Sequence, residues 1–267
     1  IRMSWLFASS LVRSRTIPKD TKEMTSFCLF IGYPRTGHTL VSSIIDAHPD
    51  AIISRKPASV GLVPHFSGNQ IVELCLRNSK KVATNINTKM KYEYNIPGQW
   101  QGRYRNIKVV GNRNAPVTLD AFSHSPGLHK QLKNKLGSNI RFIHVVRDPF
   151  DTISRIEIQN KLSFEDAASW FLSLCKQYSD FSNRLPEQDQ LIHTIHLEDL
   201  ISDPKLEIST MLNFLELEVD EEFLSACASI IWSKPSKTRE KRAWTAKDRD
   251  LVNNISSQFD FLQHYIN

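Results

Sequence analysis

Residues 27–49, FCLFIGYPRTGHTLVSSIIDAHP, decide how this chain is read. Phe27 to Ile31 is an apolar run of the length of a buried parallel strand. The chain then passes through Gly32-Tyr33-Pro34-Arg35-Thr36-Gly37-His38-Thr39. Beyond it, Leu40, Ile44, Ile45 and Ala47 recur at helix-like spacing. Strand, glycine-bearing turn and helix together form an anion cradle, because backbone N–H groups and the positive end of the helix dipole converge at one point.

The spacing Gly32-x4-Gly37-x-Thr39 is that of a P-loop. Where an ATPase or GTPase carries its lysine, this chain has His38, and its strong cation stands earlier, at Arg35. That displacement argues against a magnesium-dependent nucleoside triphosphatase or kinase. A second strand-to-helix junction lies at residues 144–154, HVVRDPFDTIS. Arg147 leaves a strand end, Pro149 suits a first helical turn, and Ser154 follows about two turns later. A guanidinium fork and a hydroxyl converging on one point suit a phosphate monoester. The rival reading is an Arg147–Asp148 salt bridge that caps the helix.

Strand patterns recur at residues 51–54, 107–111, 140–146 and 191–197, with helical patterns at 70–77, 117–136 (broken at Pro126-Gly127), 164–185, 205–217 and 220–231. Alternation of this kind predicts an α/β fold with a mostly parallel central sheet and helices on both faces. Ligands of such sheets sit at the carboxyl ends of the strands, where residues 34–39, 112–113 and 147–154 all fall. The 267 residues are 40% apolar, enough for a full core, and the net charge of +6 suits an anionic ligand. That charge is spread along the chain and not gathered into a nucleic-acid stripe. Cys28, Cys75, Cys175 and Cys227 form no CxxC pair and read as reduced and buried. No stretch has the length of a membrane span.

YPRTGHTL resembles the 5′-phosphosulfate-binding loop of the sulfotransferases that use 3′-phosphoadenosine 5′-phosphosulfate (PAPS). Those loops read roughly Pro-(Lys/Arg)-x-Gly-(Thr/Ser)-Thr. Arg35, Gly37 and Thr39 match, and His38 stands where Thr or Ser is usual. Arg147 and Ser154 resemble the family's 3′-phosphate motif, an Arg after a strand and a Ser seven or eight residues on, with Arg155 as the lesser candidate. HLEDLISDP, residues 196–204, is similar to the family's late Glu-Asp-Leu segment, whose carboxylates are structural. Ser236-Lys237-Thr238-Arg239, with Trp244 and Tyr265, resembles a terminal segment that folds over the cofactor. Lys237 and Arg239 then either reach the 3′-phosphate or belong to a solvated charge run.

The resemblance covers nearly the whole chain from residue 25 on. It implies a three-layer P-loop-like domain over residues 25–267, PAPS as donor, PAP as product, and no metal. Residues 1–24 are then an extension, either vector-derived, trimmed, disordered or an extra helix. Arg35 falls on the bridging oxygen and sulfate, and the loop Thr36-Gly37-His38-Thr39, with Leu40 after it, on the 5′-phosphate. Arg113 is the second cation, because Asn112-Arg113 resembles the Asn-Lys at the matching strand end of tyrosylprotein sulfotransferases. The related branches place a glutamate base a few residues after a segment like DAHP. Here Asp46-Ala47-His48-Pro49 is followed at that place by Arg55-Lys56. The Lys-Thr-His segment of the cytosolic enzymes is not found either. His65, His124 and His38 are therefore the candidate bases.

The expected acceptor is a small molecule bearing a hydroxyl or a nitrogen, since no anchor segment is found and the loops 55–69 and 93–106 are short. The expected location is cytoplasmic, with no nucleic-acid or membrane partner. Arg55 and Lys56 leave an anionic sugar or an acidic peptide open as acceptor, so a carbohydrate or protein-tyrosine sulfotransferase is the first alternative. A non-catalytic nucleotide-binding protein that lost the base is the second.

Overall fold

The computed structural model of the chain describes residue 10 and residues 23–55, 59–84, 94–185 and 191–266. Lys56 and nearly all of the proposed N-terminal extension lie outside them. Five strands form one sheet: β1 (Ser26–Gly32), β2 (Ala51–Ser54), β3 (Val109–Asn112), β4 (Asn139–Val146) and β5 (Ile192–His196). Their order is β2-β3-β1-β4-β5, and every neighbouring pair is parallel. The chain fills one side of β1 and then the other, so the order reverses at β1. A ligand crevice opens outside the strand ends at such a point.

The central strand is buried at all seven positions, as its apolar run requires. Its side chains alternate between two cores. Phe27, Leu29 and Ile31 join one core with residues of helices α2 (Gly68–Thr84), α3 (Ala115–His124), α4 (Leu128–Leu136), α5 (Pro149–Asn160), α6 (Phe164–Arg184) and α10 (Ala246–Ser257). Cys28 and Phe30 join the other with residues of α1 (His38–Asp46), α8 (Pro204–Phe214) and α9 (Glu221–Ser229). Helices thus cover both faces of the sheet, giving the expected three layers. The four cysteines are buried and unpaired.

Three elements differ from the sequence reading. The late acidic segment contains a short helix, α7 (Leu197–Ser202), immediately after β5. Residues 59–62, inside the expected loop, form a 3-10 turn. Helix α10 has no counterpart in the reading, although Thr245 and Asp248 close a capping box at its start. Among the described residues no helix is long and apolar enough to cross a membrane, and no group of three or more His, Cys, Asp or Glu side chains is placed to hold a metal ion.

Candidate active site

The strand ends place the cations. Arg55, Arg113 and Arg147 each stand one residue after their strand, β2, β3 and β4, and Leu197 stands one residue after β5. The loop from Tyr33 to Gly37 leaves β1 between them. All these ends border one cleft of about 410 Å³. Its described lining holds Arg35, Arg55, Arg113, Arg147, Arg155 and Lys234, and no Asp or Glu. Leu197, Ile201, Ile230, Ile231 and Trp232 give it an apolar wall.

The loop after β1 is held in a conformation most residues avoid. Gly37 has φ 106° and Arg35 has φ 73°, in the left-handed region where a side chain costs about 1–2 kcal/mol. A Cβ on Gly37 would also stand 2.9 Å from Leu197 Cδ1. Thr36 donates its hydroxyl to the Tyr33 carbonyl at 3.2 Å, closing the turn from within. Thr36 is fully buried and does not line the cleft, whereas Arg35, Gly37, His38, Thr39 and Leu40 do. Helix α1 begins at His38 with no side-chain cap and no acid in its first turn. Its leading N–H groups are thus open to an anion.

Arg113 donates through Nη1 to the Thr39 hydroxyl, joining the β3 end to the loop. Burial, and then repulsion from Arg55, press its guanidinium down to about 10, so it stays charged at neutral pH. Asn112 holds the neighbouring strand end by donating to Ser54 Oγ at 2.9 Å. Arg147 is nearly buried. It donates through Nη1 to the Arg35 carbonyl at 3.4 Å and through Nη2 to the carbonyl and hydroxyl of Ser236. The two anion pockets expected from the sequence therefore adjoin.

Asp148 does cap α5, accepting from Phe150 N at 2.9 Å and Asp151 N at 3.3 Å, but its ion-pair partner is Arg239 and not Arg147. Arg239 also meets both Asp151 oxygens. The structure places both tail cations away from the cleft lining. Arg239 is spent on these carboxylates, Lys237 is exposed beside Glu240, and neither lines the cleft. The cation that the tail contributes is Lys234, which the sequence reading did not name. Glu198 plays the structural part expected of it, accepting from Asp148 N at 3.3 Å and from Tyr265 Oη at 2.6 Å.

Of the two 3′-phosphate candidates, the cleft is lined by Arg155 and not by Ser154. Ser154 is fully buried, donates to the Phe150 carbonyl at 2.7 Å and does not line the cleft, whereas Arg155 does. His65 is not brought to the cleft either. Its N–H bonds the Leu62 carbonyl, and Val60, Leu62, Val63 and Phe66 anchor that turn in the core, leaving His65 at the surface. His124 is exposed at the end of α3, with Nδ1 2.9 Å from the Asp120 carbonyl. Of the three histidines, His38 alone lines the cleft. Its Nε2 is buried with no hydrogen-bond partner among the described residues. Burial above all, with Arg113 adding to it, lowers its pKa to about 4, so the imidazole is neutral at pH 7.

The sequence matches the family model described as a sulfotransferase domain over residues 27–259. Similar solved structures include the sulfotransferase domain of the Synechococcus PCC 7002 olefin synthase, at 14% identity and TM-score 0.51, covering 87% of this chain and 95% of that one. The sulfotransferase domain of the curacin biosynthetic pathway aligns at 15% identity and TM-score 0.53, over 88% and 97% of the two chains. A sulfotransferase from Alicyclobacillus acidocaldarius aligns at 13% identity and TM-score 0.51, over 90% and 94%. At these identities the likeness speaks for the fold. No curated protein matches the chain.

Proposed function

This chain belongs to the PAPS-dependent sulfotransferase family, and from that premise we propose that it transfers a sulfuryl group from PAPS to a hydroxyl or nitrogen of a small molecule. The observation that carries the reading is the cleft itself, where Arg35, Arg113, Arg147, Arg155 and Lys234 and an uncapped helix start face one another with no described carboxylate between them. PAPS carries negative charge at both ends of an adenosine, and the lining suits that distribution.

Arg147 and Arg155, with Lys234 from the tail, take the 3′-phosphate. The residue 37–39 N–H groups and the Thr39 hydroxyl take the 5′-phosphate. Arg35 and Arg113 face the bond that breaks, and the apolar wall from Leu197 to Trp232 accepts the adenine. The acceptor oxygen forms a bond to sulfur while the bond from sulfur to the phosphate oxygen breaks, leaving its electron pair on PAP. Charge grows on that oxygen, and a fixed cation beside it lowers the barrier. We assign the acceptor's proton to His38 Nε2, which is neutral and has no hydrogen-bond partner among the described residues. A cleft of about 410 Å³ is in the range of small-molecule sites.

The test is calorimetry with PAP against ATP plus magnesium, followed by labelled-sulfate transfer from PAPS to a panel of alcohols, phenols and amines. Tight PAP binding and transfer to a small acceptor are expected. Binding of ATP in preference to PAP, or PAP binding with no transfer to any acceptor, overturns the reading.

A further inference from the structure

We propose that the acceptor carries an oxyanion of its own, a carboxylate or a phosphate, and that Arg55 is the residue that holds it. This rests on the donor assignment above and adds the acceptor's chemical class.

The sheet order sets the geometry. Read across the strand ends, the cations run Arg55 after β2, Arg113 after β3, Arg35 in the loop after β1, and Arg147 after β4. Strands lie about 4.8 Å apart, so β2 stands about 10 Å from β1 and about 14 Å from β4. The donor's charges are already matched. Arg147, Arg155 and Lys234 serve one end, and Arg35, Arg113 and the start of α1 serve the other. Arg55 lies past Arg113, on the edge strand, away from the 3′-phosphate side. On the donor assignment above it is the cation on the far side of Arg113 from the 3′-phosphate, the side left for the acceptor.

Arg55 is half-buried, lines the cleft, and faces the like charge of Arg113. No ion pair joins it to a described carboxylate. The carboxylate that acts on it is Asp46, from a distance. Asp46 is already engaged, accepting from Ile53 N at 2.7 Å and from Ser79 Oγ at 2.8 and 2.9 Å. The Arg55 backbone is fixed by its N–H bond to Asn78 Oδ1 at 2.8 Å, which sets the origin of the side chain. A half-buried guanidinium held in place beside another cation has lost hydration without gaining an ion-pair partner among the described residues, and a bound oxyanion supplies one. The other described liners on this side, Tyr94, Asn114 and Pro116, include no carboxylate, and Tyr94 acts on Arg55 as well.

The experiment compares matched acceptors: hydroxylated carboxylic acids, their methyl esters, and the corresponding phosphate monoesters. The unmodified enzyme is expected to prefer the charged members by about tenfold or more in kcat/KM. The carboxylate and phosphate arms show which oxyanion fits better. Arg55→Gln is expected to raise KM for the charged members and bring the ratio of charged to ester close to one, with PAP affinity by calorimetry unchanged. A panel in which the charged members are not preferred overturns the inference, as does one in which none is sulfated or an Arg55→Gln enzyme that keeps the preference. Failure to bind PAP strikes the donor assignment instead, so the two failures are separable.

Discussion

Arg147 reaches the main-chain carbonyl of Arg35 at 3.4 Å, although 112 residues separate them. The contact joins the turn after β4 to the turn after β1. It makes the turns after β1 and β4 two sides of one cleft. The same guanidinium reaches Ser236, so the C-terminal segment is tied to the same point.

On the proposed assignment, Arg35 and Arg113 govern turnover more than donor affinity. Arg35→Ala and Arg113→Ala are each expected to lower kcat by about two to three orders of magnitude. Circular dichroism should be unchanged, because Arg35 is exposed and Arg113 lines the cleft. Steady-state kinetics with PAPS and any accepted substrate checks this. A variant with normal kcat removes that residue from the site.

Recognition of the 3′-phosphate is expected to follow Arg155 and not Ser154. Arg155→Ala should weaken 3′,5′-ADP by about tenfold to a hundredfold, the effect of one charged hydrogen bond. It should leave 5′-AMP unchanged. Ser154→Ala should leave both unchanged, because that hydroxyl is already satisfied by the Phe150 carbonyl. Calorimetry with the two nucleotides decides, and the reverse ranking would restore Ser154.

This pair shows where sequence reading stops. Residues 154 and 155 are one step apart on a helix, which rotates each residue by about 100°. Spacing from Arg147 brings both near, but packing decides which one faces the cleft. The strands and their cations were legible because strands buried on both faces leave apolar runs, and Arg113 and Arg147 stand right after them. Lys234 and Trp232 left no such mark. They lie in irregular chain after α9, and only a contact spanning 89 residues, Arg147 to Ser236, brings that chain to the cleft. Helix α10 was visible in principle through Thr245 and Asp248, the pattern of a capping box before an apolar face.

The clasp between Arg239 and the start of α5 is expected to be a stability determinant. Asp151 is almost wholly buried and takes both a backbone and a side-chain bond from Arg239. Arg239→Ala would leave that carboxylate without its cation, at a cost of about 3 kcal/mol, the lower end for a broken buried pair. Asp151→Asn combined with Arg239→Ala should cost less than the sum of the single changes. Urea unfolding of the four proteins tests this, and strict additivity would show that the pair is not coupled.

Two groups near α1 are expected to tilt stability with pH in opposite directions. Burial raises the Asp46 pKa from 3.8 to about 7, so the folded chain holds a proton there that the unfolded chain releases. Stability from this group is full below about pH 4 and is lost as pH rises through about 7. Burial lowers the His38 pKa from 6.5 to about 4, so here the unfolded chain holds the extra proton. Stability from His38 is full above about pH 6.5 and is lost as pH falls through about 4. Relative to the unmodified protein, Asp46→Asn should therefore gain stability as pH rises from about 4 to 7. His38→Gln should gain as pH falls from about 6.5 to 4. Urea midpoints measured every half unit between pH 4 and 7.5 give both difference curves. Because each is taken against the same parent, titration elsewhere cancels. A flat curve for either variant would mean that its side chain titrates normally in the folded chain.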